Sequence, residues 1–295
     1  MLRRIPDTSA TALRRRPGRA LVANLRRAQD SKSGVPAAPQ RRRRRHAINF
    51  EGLGFIVFLA VLWQILHYTI FASIDNIAST TETLSSVVSL AIAGPLLPQI
   101  WHTLSITLIG WAAAVLAGAA LGIWLGLSHT TWRYSMASVE ALRSIPSIAF
   151  VPLAILVFGF SGTMEFVIVV YVCIWPVLIA AINGIRNVSA GLIDTAQTLN
   201  LGRWHTIRSI ILPASASQII VGMRISLALA IALSIIAEML GNPEGLGFGI
   251  VFVQRAFRPG DVFAYLLVAG VIGWLLNALF TIIVRRFFPG FAGSL

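Results

Sequence analysis

The side chains that carry out hydrolysis or metal chemistry are thinly scattered in this sequence. No His-Glu-x-x-His or Gly-x-Ser-x-Gly run occurs, and neither His nor Cys is clustered. Nothing along the chain is therefore spaced for a nucleophile, an acid–base pair or a metal ion. The one cysteine, Cys173, lies in an apolar run and reads as a packing residue. The one lysine, Lys32, sits in Ser-Lys-Ser-Gly, outside any phosphate-cradling G-x-x-x-x-G-K-S/T loop. By that chemistry the chain alone cannot hydrolyse ATP. Gly245-Leu246-Gly247-Phe248-Gly249 follows no strand and opens no evident helix, so it reads as a flexible loop and not as a dinucleotide fingerprint. The expectation is no catalytic residue, no cofactor and no metal.

What remains is polar residues set in greasy surroundings. The largest group is Asp194 to Pro213, an amphipathic island flanked by apolar segments. Ser189 can cap a helix that places Leu192, Ile193, Ala196 and Leu199 on one face and Asp194, Thr195, Gln197 and Thr198 on the other. Asn200 tolerates the left-handed backbone that stops a helix, and Gly202 reopens the chain. A second short helix would gather Trp204, Ile207 and Ile211, and Pro213 forbids simple continuation. The result is helix, tight turn, helix over about 189–213, with Asp194 near a helix's positive end and able to reach a partner's arginine. A second group lies in or beside apolar segments: Glu140, Arg143, Ser226, Ser234 and Glu238, with Gln64, His67, Asn183 and Asn277. Such groups are candidates for a solute pathway by default. Glu140 and Arg143, three apart, are also spaced to pair with each other, and Gln64 and His67 to knit helices.

These groups must be positioned by membrane helices. The chain is 56% apolar and 12% charged, outside the range of soluble domains. Segments near 53–72, 103–127, 136–160, 164–184, 217–240 and 264–284 are long enough to span, which predicts an all-α polytopic protein of about six helices. The third carries Pro146 and Pro152 and should be kinked or partly broken. Thr80–Ala91 should form a short surface helix in the first outer loop. Gly118, Gly122 and Gly126 make a smooth stripe, suited to close helix packing or to sliding.

The formal charge of +13 belongs almost wholly to one tail. Residues 1–46 hold 14 basic and two acidic groups, against ten basic and nine acidic in the remainder. This Arg-rich tail should be disordered, held near anionic lipid on the cytoplasmic side, and not a nucleic-acid binder. The membrane-spanning body would then begin at 47. Arg133, Arg143, Arg186, Arg203, Arg208, Arg224, Arg285 and Arg286 fall on the tail's side and only Arg255 and Arg258 opposite, which puts both termini and the 189–213 hairpin in the cytoplasm.

The hairpin resembles the EAA loop of ATP-binding cassette (ABC) importer permeases, in which Glu-Ala-Ala, three residues, Gly, nine residues and Ile-x-Leu-Pro follow in order. Ala196, Ile210, Leu212 and Pro213 match in register; Asp194 stands for the glutamate, Thr195 for the first alanine and Asn200 for the glycine. Glu140–Pro146, Val151–Gly159, Ala237–Gly241 and Gly245–Gly247 resemble further blocks of the nitrate/sulfonate/taurine group, so the likeness runs from about 95 to 286. It implies a type I importer permease in the bacterial inner membrane, a pathway shared by two permease copies, a separate cytoplasmic ATPase, an outer solute-binding protein and a small anionic solute. Asp194, Thr195, Ala196, Asn200 and Gly202 would be the docking surface, with Trp204 as apolar support beneath it. The rival expectation, a secondary transporter working alone, needs intramembrane carboxylates, and these are nearly absent.

Overall fold

A computed structural model describes residues 50–71, 74, 76–92 and 94–287. The chain divides into two compact units, Met1–Phe55 and Ile56–Leu295. Of the first only the opening of one helix is described, and the expected disordered tail lies outside the described residues. Every regular element among them is helical: α1 Phe50–Thr69, α2 Thr80–Ile92, α3 Leu96–Leu127, α4 His129–Arg143, α5 Val151–Phe158, α6 Gly162–Arg186, α7 Ala190–Thr198, α8 Arg203–Gly241, α9 Gly245–Arg255 and α10 Pro259–Phe287.

Four of these, α3, α6, α8 and α10, are long and apolar enough to cross a bilayer, and α4 with the segment ending in α5 makes a fifth if the pair counts as one span. Against the expected six or so, the described residues hold four or five of that length. The apolar part of α1, Gly54–Thr69, is shorter than a full span. The third expected span is bent by 80° between Arg143 and Ser147. Pro146 disfavours a helical residue before it and so breaks the element, whereas Pro152 sits in the first turn of α5, where its missing N–H costs nothing. The expected surface helix is α2, and the second span starts earlier than expected, at Leu96.

The most buried span is α6, packed against α3 on one side and α8 on the other. Small residues set both spacings. A Cβ on Gly122 of α3 would stand 2.6 Å from that of Ala181 and 2.7 Å from the Leu178 carbonyl of α6. A Cβ on Gly222 of α8 would meet Ala180 and come within 2.9 Å of the Pro176 carbonyl. The glycine stripe is therefore helix packing, the close approach that apolar solvent permits only between small surfaces. Gln64 knits as expected, donating to Thr81 Oγ1 at 3.3 Å and accepting from the Thr81 N–H at 3.2 Å. Arg224, counted above with the cytoplasmic cations, lies inside α8 and donates from Nε to Asn277 Oδ1 of α10 at 3.0 Å.

Candidate functional site

At one end of the bundle, α7 and the start of α8 form the expected hairpin. Asn200 has φ 51, and its N–H donates to the Gln197 carbonyl at 2.9 Å while Leu201 N–H donates to Ala196 at 3.0 Å. This pair of bonds around a left-handed residue is a Schellman stop. Ala196 is 2% exposed and fixes α7 against a cleft of about 320 Å³ lined by Leu127, Ile193, Arg203, Thr206, Ile207 and Ile211. Asp194, Thr195, Asn200, Gly202 and Pro213 are exposed. The Thr195 hydroxyl is turned back onto its own helix, donating to the Gly191 carbonyl at 2.7 Å.

Three local expectations are corrected here. Ser189 stands at the N-cap without a side-chain capping bond. Leu192 and Leu199, expected on one face with the buried Ala196, are 45% and 64% exposed, and Trp204 is 73% exposed while Ile207 and Ile211 are half-buried. Trp204 therefore does not support the knob from beneath. Pro213 does not end the helix either. Ile207–Ile211 forms a π turn immediately before it, and α8 runs on as one rod of 39 residues. A proline ring collides with the carbonyl four residues back and offers no N–H; the wider i to i+5 turn absorbs both faults without breaking the rod.

Between α6 and α8 lies a second cleft, of about 460 Å³, whose polar lining is Arg143, Ser147, Asn183 and Gln218. Arg143 is exposed there, and Glu140, also exposed, is not among its lining; the two form no ion pair. Ser226 is fully buried and occupied elsewhere: its Oγ accepts from Trp111 Nε1 at 3.0 Å and donates to the Met223 carbonyl at 2.9 Å. Its place is in the α3–α8 packing, not on a solute path. Ser234 is buried and its hydroxyl has no partner.

The far end holds what sequence reasoning missed. Glu238 is 1% exposed, so it does not face water. Its Oε2 accepts the Gly247 N–H at 2.8 Å, and Thr103 Oγ1 of α3 accepts the Leu246 N–H at 2.9 Å. These bonds satisfy two of the orphan donors at the start of α9, which is why the glycine run expected to be a flexible loop is instead a helix N-terminus. Gly245 enters it at φ 88, and any Cβ there would run into the Glu238 carboxylate. Beside it Glu165, in the first turn of α6 and wholly buried, accepts from the Asn242 amide and faces His102 Nε2 at 3.2 Å. His102 Nδ1 lies 2.9 Å from Glu244 Oε2. A cleft of about 800 Å³, lined in part by Gln99, His102, Ser105, Glu244, Arg258 and Tyr265, opens next to this network. His102, Glu165, Asn242 and Glu244 come from elements up to 142 positions apart in the sequence, so no spacing rule could gather them.

Residues 114–293 match the model of the binding-protein-dependent transport system inner membrane component family. The chain belongs to this family. The permease is 26% identical to the putative aliphatic sulfonates transport permease protein SsuC of Bacillus subtilis (strain 168), over 96% of this chain and 93% of that one. It is 28% identical to the nitrate import permease protein NrtB of Leptolyngbya laminosa, over 91% and 97%. It is 30% identical to the taurine transport system permease protein TauC of Escherichia coli (strain K12), over 68% and 75%. The inward-facing MetNI methionine ABC transporter (CY5 native crystal form) superposes with a TM-score of 0.58 at 18% identity, covering 65% of this chain and 95% of that one. At that identity the likeness concerns the fold, which is the all-α type I ABC importer permease fold. The permease is a multi-pass membrane subunit of an ABC importer and not itself an enzyme: ATP hydrolysis belongs to a separate ATPase, and solute delivery to a binding protein. A secondary transporter working alone is thereby set aside.

Proposed function

We propose that the permease carries a small anion of the nitrate, sulfonate or taurine class, that two copies form the pathway, and that the 189–213 hairpin is the cytoplasmic handle gripped by the ATPase. The observation that carries this reading is the hairpin itself. Its turn is closed by its own backbone hydrogen bonds, yet Leu192, Leu199 and Trp204 are exposed on it, together with the charged Asp194, Arg203 and Arg208. Exposed apolar side chains set among charges are the composition of a protein contact. Ala196 supports the knob, Asn200 turns it, Gly202 reopens the chain, and Pro213 with its π turn joins it to α8.

Because α8 is continuous from the hairpin to Glu238, a displacement of the knob is a displacement of the rod that lines the 460 Å³ cleft. Nucleotide on the partner shifts the transmembrane equilibrium only through contacts that differ between its two states, and this knob is where such contacts fall. Arg143, on the cleft at the cytoplasmic side, is the cation we assign to the anion as it leaves the pathway. Residues 47–295 form the permease body. The tail of residues 1–46 lies along anionic lipid, both termini are cytoplasmic, and no nucleic acid is involved.

The test is reconstitution of the permease with its ATPase and binding protein in vesicles, followed by uptake of nitrate, an alkanesulfonate and taurine. ATP-dependent accumulation of at least one, absent without the ATPase, is expected. Uptake that proceeds without the ATPase, or failure with all three anions, overturns the reading.

A further inference from the structure

The network at the far end holds more carboxyl groups than its neighbours answer with cations. His102 of α3, Glu165 of α6 and Glu238 of α8 each offer one ligand-type atom, and these three atoms lie within 4.8 Å of one another. Glu165 and Glu238 are 0% and 1% exposed. Glu244 adds a third carboxylate at the rim, its side chain 66% exposed. Against these stands one imidazole. Among the described residues the ion pairs of the two buried carboxylates include no lysine or arginine, and the nearby Arg258 is engaged by Asp261 at 2.7 Å. Two buried carboxylates that share one imidazole can ionise together in a dry interior only if a further cation answers them.

The hydrogen bonds also leave ligand positions open. Glu244 Oε2 lies 2.9 Å from His102 Nδ1, so a proton held at Nδ1 frees Nε2 as the ligand atom. Nε2 lies 3.2 Å from Glu165 Oε2 and 3.2 Å from the Asn242 amide nitrogen. The Glu238 carboxylate spends Oε2 on the Gly247 N–H, and its buried Oε1 has no partner. A carboxylate holding the far nitrogen of an imidazole whose near nitrogen points at two more carboxylates is the outer-shell pattern of a histidine–metal site.

We propose that His102, Glu165 and Glu238 bind one divalent transition cation of the zinc type, with Glu244 orienting the imidazole. The ion reaches the site from the adjoining 800 Å³ cleft, which His102 and Glu244 both line. Nitrogen and oxygen donors sit about 2.0–2.2 Å from zinc, so two of them are at most about 4.4 Å apart, and the three side chains close slightly around the ion. By joining α3, α6 and α8 at the end opposite the hairpin, the ion clamps these three spans together. This inference is independent of the ATPase-docking reading.

The experiment uses the full chain purified with its ATPase partner on a histidine-free tag. It is loaded with Zn²⁺ or Co²⁺ and desalted, and bound metal is measured by elemental analysis, with Co²⁺ visible absorption reporting the ligand field. About one equivalent per chain is expected. His102→Gln and Glu165→Gln should lose it, and Glu244→Gln, a change at an exposed side chain that spares the buried core, should weaken affinity by about 10-fold or more. His129→Gln should bind as the unaltered chain does. Retained ATPase association shows that each variant is folded. Metal uptake equal in the unaltered chain and in His102→Gln or Glu165→Gln overturns the proposal. So does an unaltered chain that binds none, which would leave the cluster to share a proton instead.

Discussion

At one end of the molecule Leu199 and Trp204 stand 64% and 73% exposed; at the other, Glu165 and Glu238 are sealed from solvent. The hairpin leaves apolar groups uncovered and satisfies its backbone locally, through the Gln197 and Ala196 carbonyls. The far end buries carboxyl groups and holds them across three helices, through Asn242, His102 and the N–H of Gly247, with Glu238 Oε1 left without a partner. A knob closed by its own backbone keeps its shape while it waits for a partner. A network closed by side chains from separate helices holds only while those helices stay together. The first is built to be gripped and the second to resist separation, and the continuous rod α8 joins them.

The largest effect expected from breaking this contrast is at Asp194. Asp194→Arg reverses the charge on an exposed residue and touches no partner within the chain, so stability should move by no more than about 0.5 kcal/mol. ATPase co-isolation and ATP-driven uptake should nevertheless fall at least about tenfold, the size of a lost contact worth about 1.4 kcal/mol. Normal uptake by a properly inserted variant would remove the hairpin from the docking role.

At the far end the order of effects should reverse. Asn242→Ala strips the amide that serves the buried Glu165 and leaves that carboxylate short of a donor. The expected cost is about 2 kcal/mol of stability, within the range for leaving a buried charged acceptor unsatisfied. It should be read as a lowered melting temperature in detergent, with ATPase co-isolation at low temperature unchanged. A variant that melts like the parent but loses its ATPase would erase the division between the two ends.

The difference between the ends also explains what could be read beforehand. The hairpin is written contiguously: Asp194, Asn200 and Pro213 lie within 20 consecutive residues, and a positive φ at Asn200 follows from residue type alone. The spans were visible because hydropathy needs only a local window. The break in the third span was legible too, because Pro146 lies within it and the 80° bend falls there. The Tyr171 hydroxyl of α6, which donates to the Leu142 carbonyl at 3.0 Å beside the bend, was not. Trp204 and Leu192 were misplaced because amphipathic spacing names a face without saying whether this chain or another covers it. The His102 network was invisible for a different reason. Its members are single polar residues in four separate segments, and only the packing of α3, α6 and α8 brings them together. The glycine run at 245–249 was misread as a loop because its capping groups, Thr103 and Glu238, come from other helices.

The smallest effect sharpens the hairpin side. Asn200 stands where the resembled motif has glycine, and its φ of 51 is available to both residues. If the turn serves only to point the knob, Asn200→Gly should change stability by no more than about 0.5 kcal/mol and leave uptake intact, since Gly enters the left-handed region without a Cβ penalty. Asn200→Val should cost about 1–2 kcal/mol locally, because a β-branched residue resists that region, and the bonds to Gln197 and Ala196 should open. Uptake should then fall although no exposed contact residue has been touched. The informative outcome is a glycine variant that folds normally and transports poorly. Glycine keeps the turn and deletes only the side-chain amide, so such a result would make Asn200 a contact residue in its own right and extend the gripped surface from α7 into the turn.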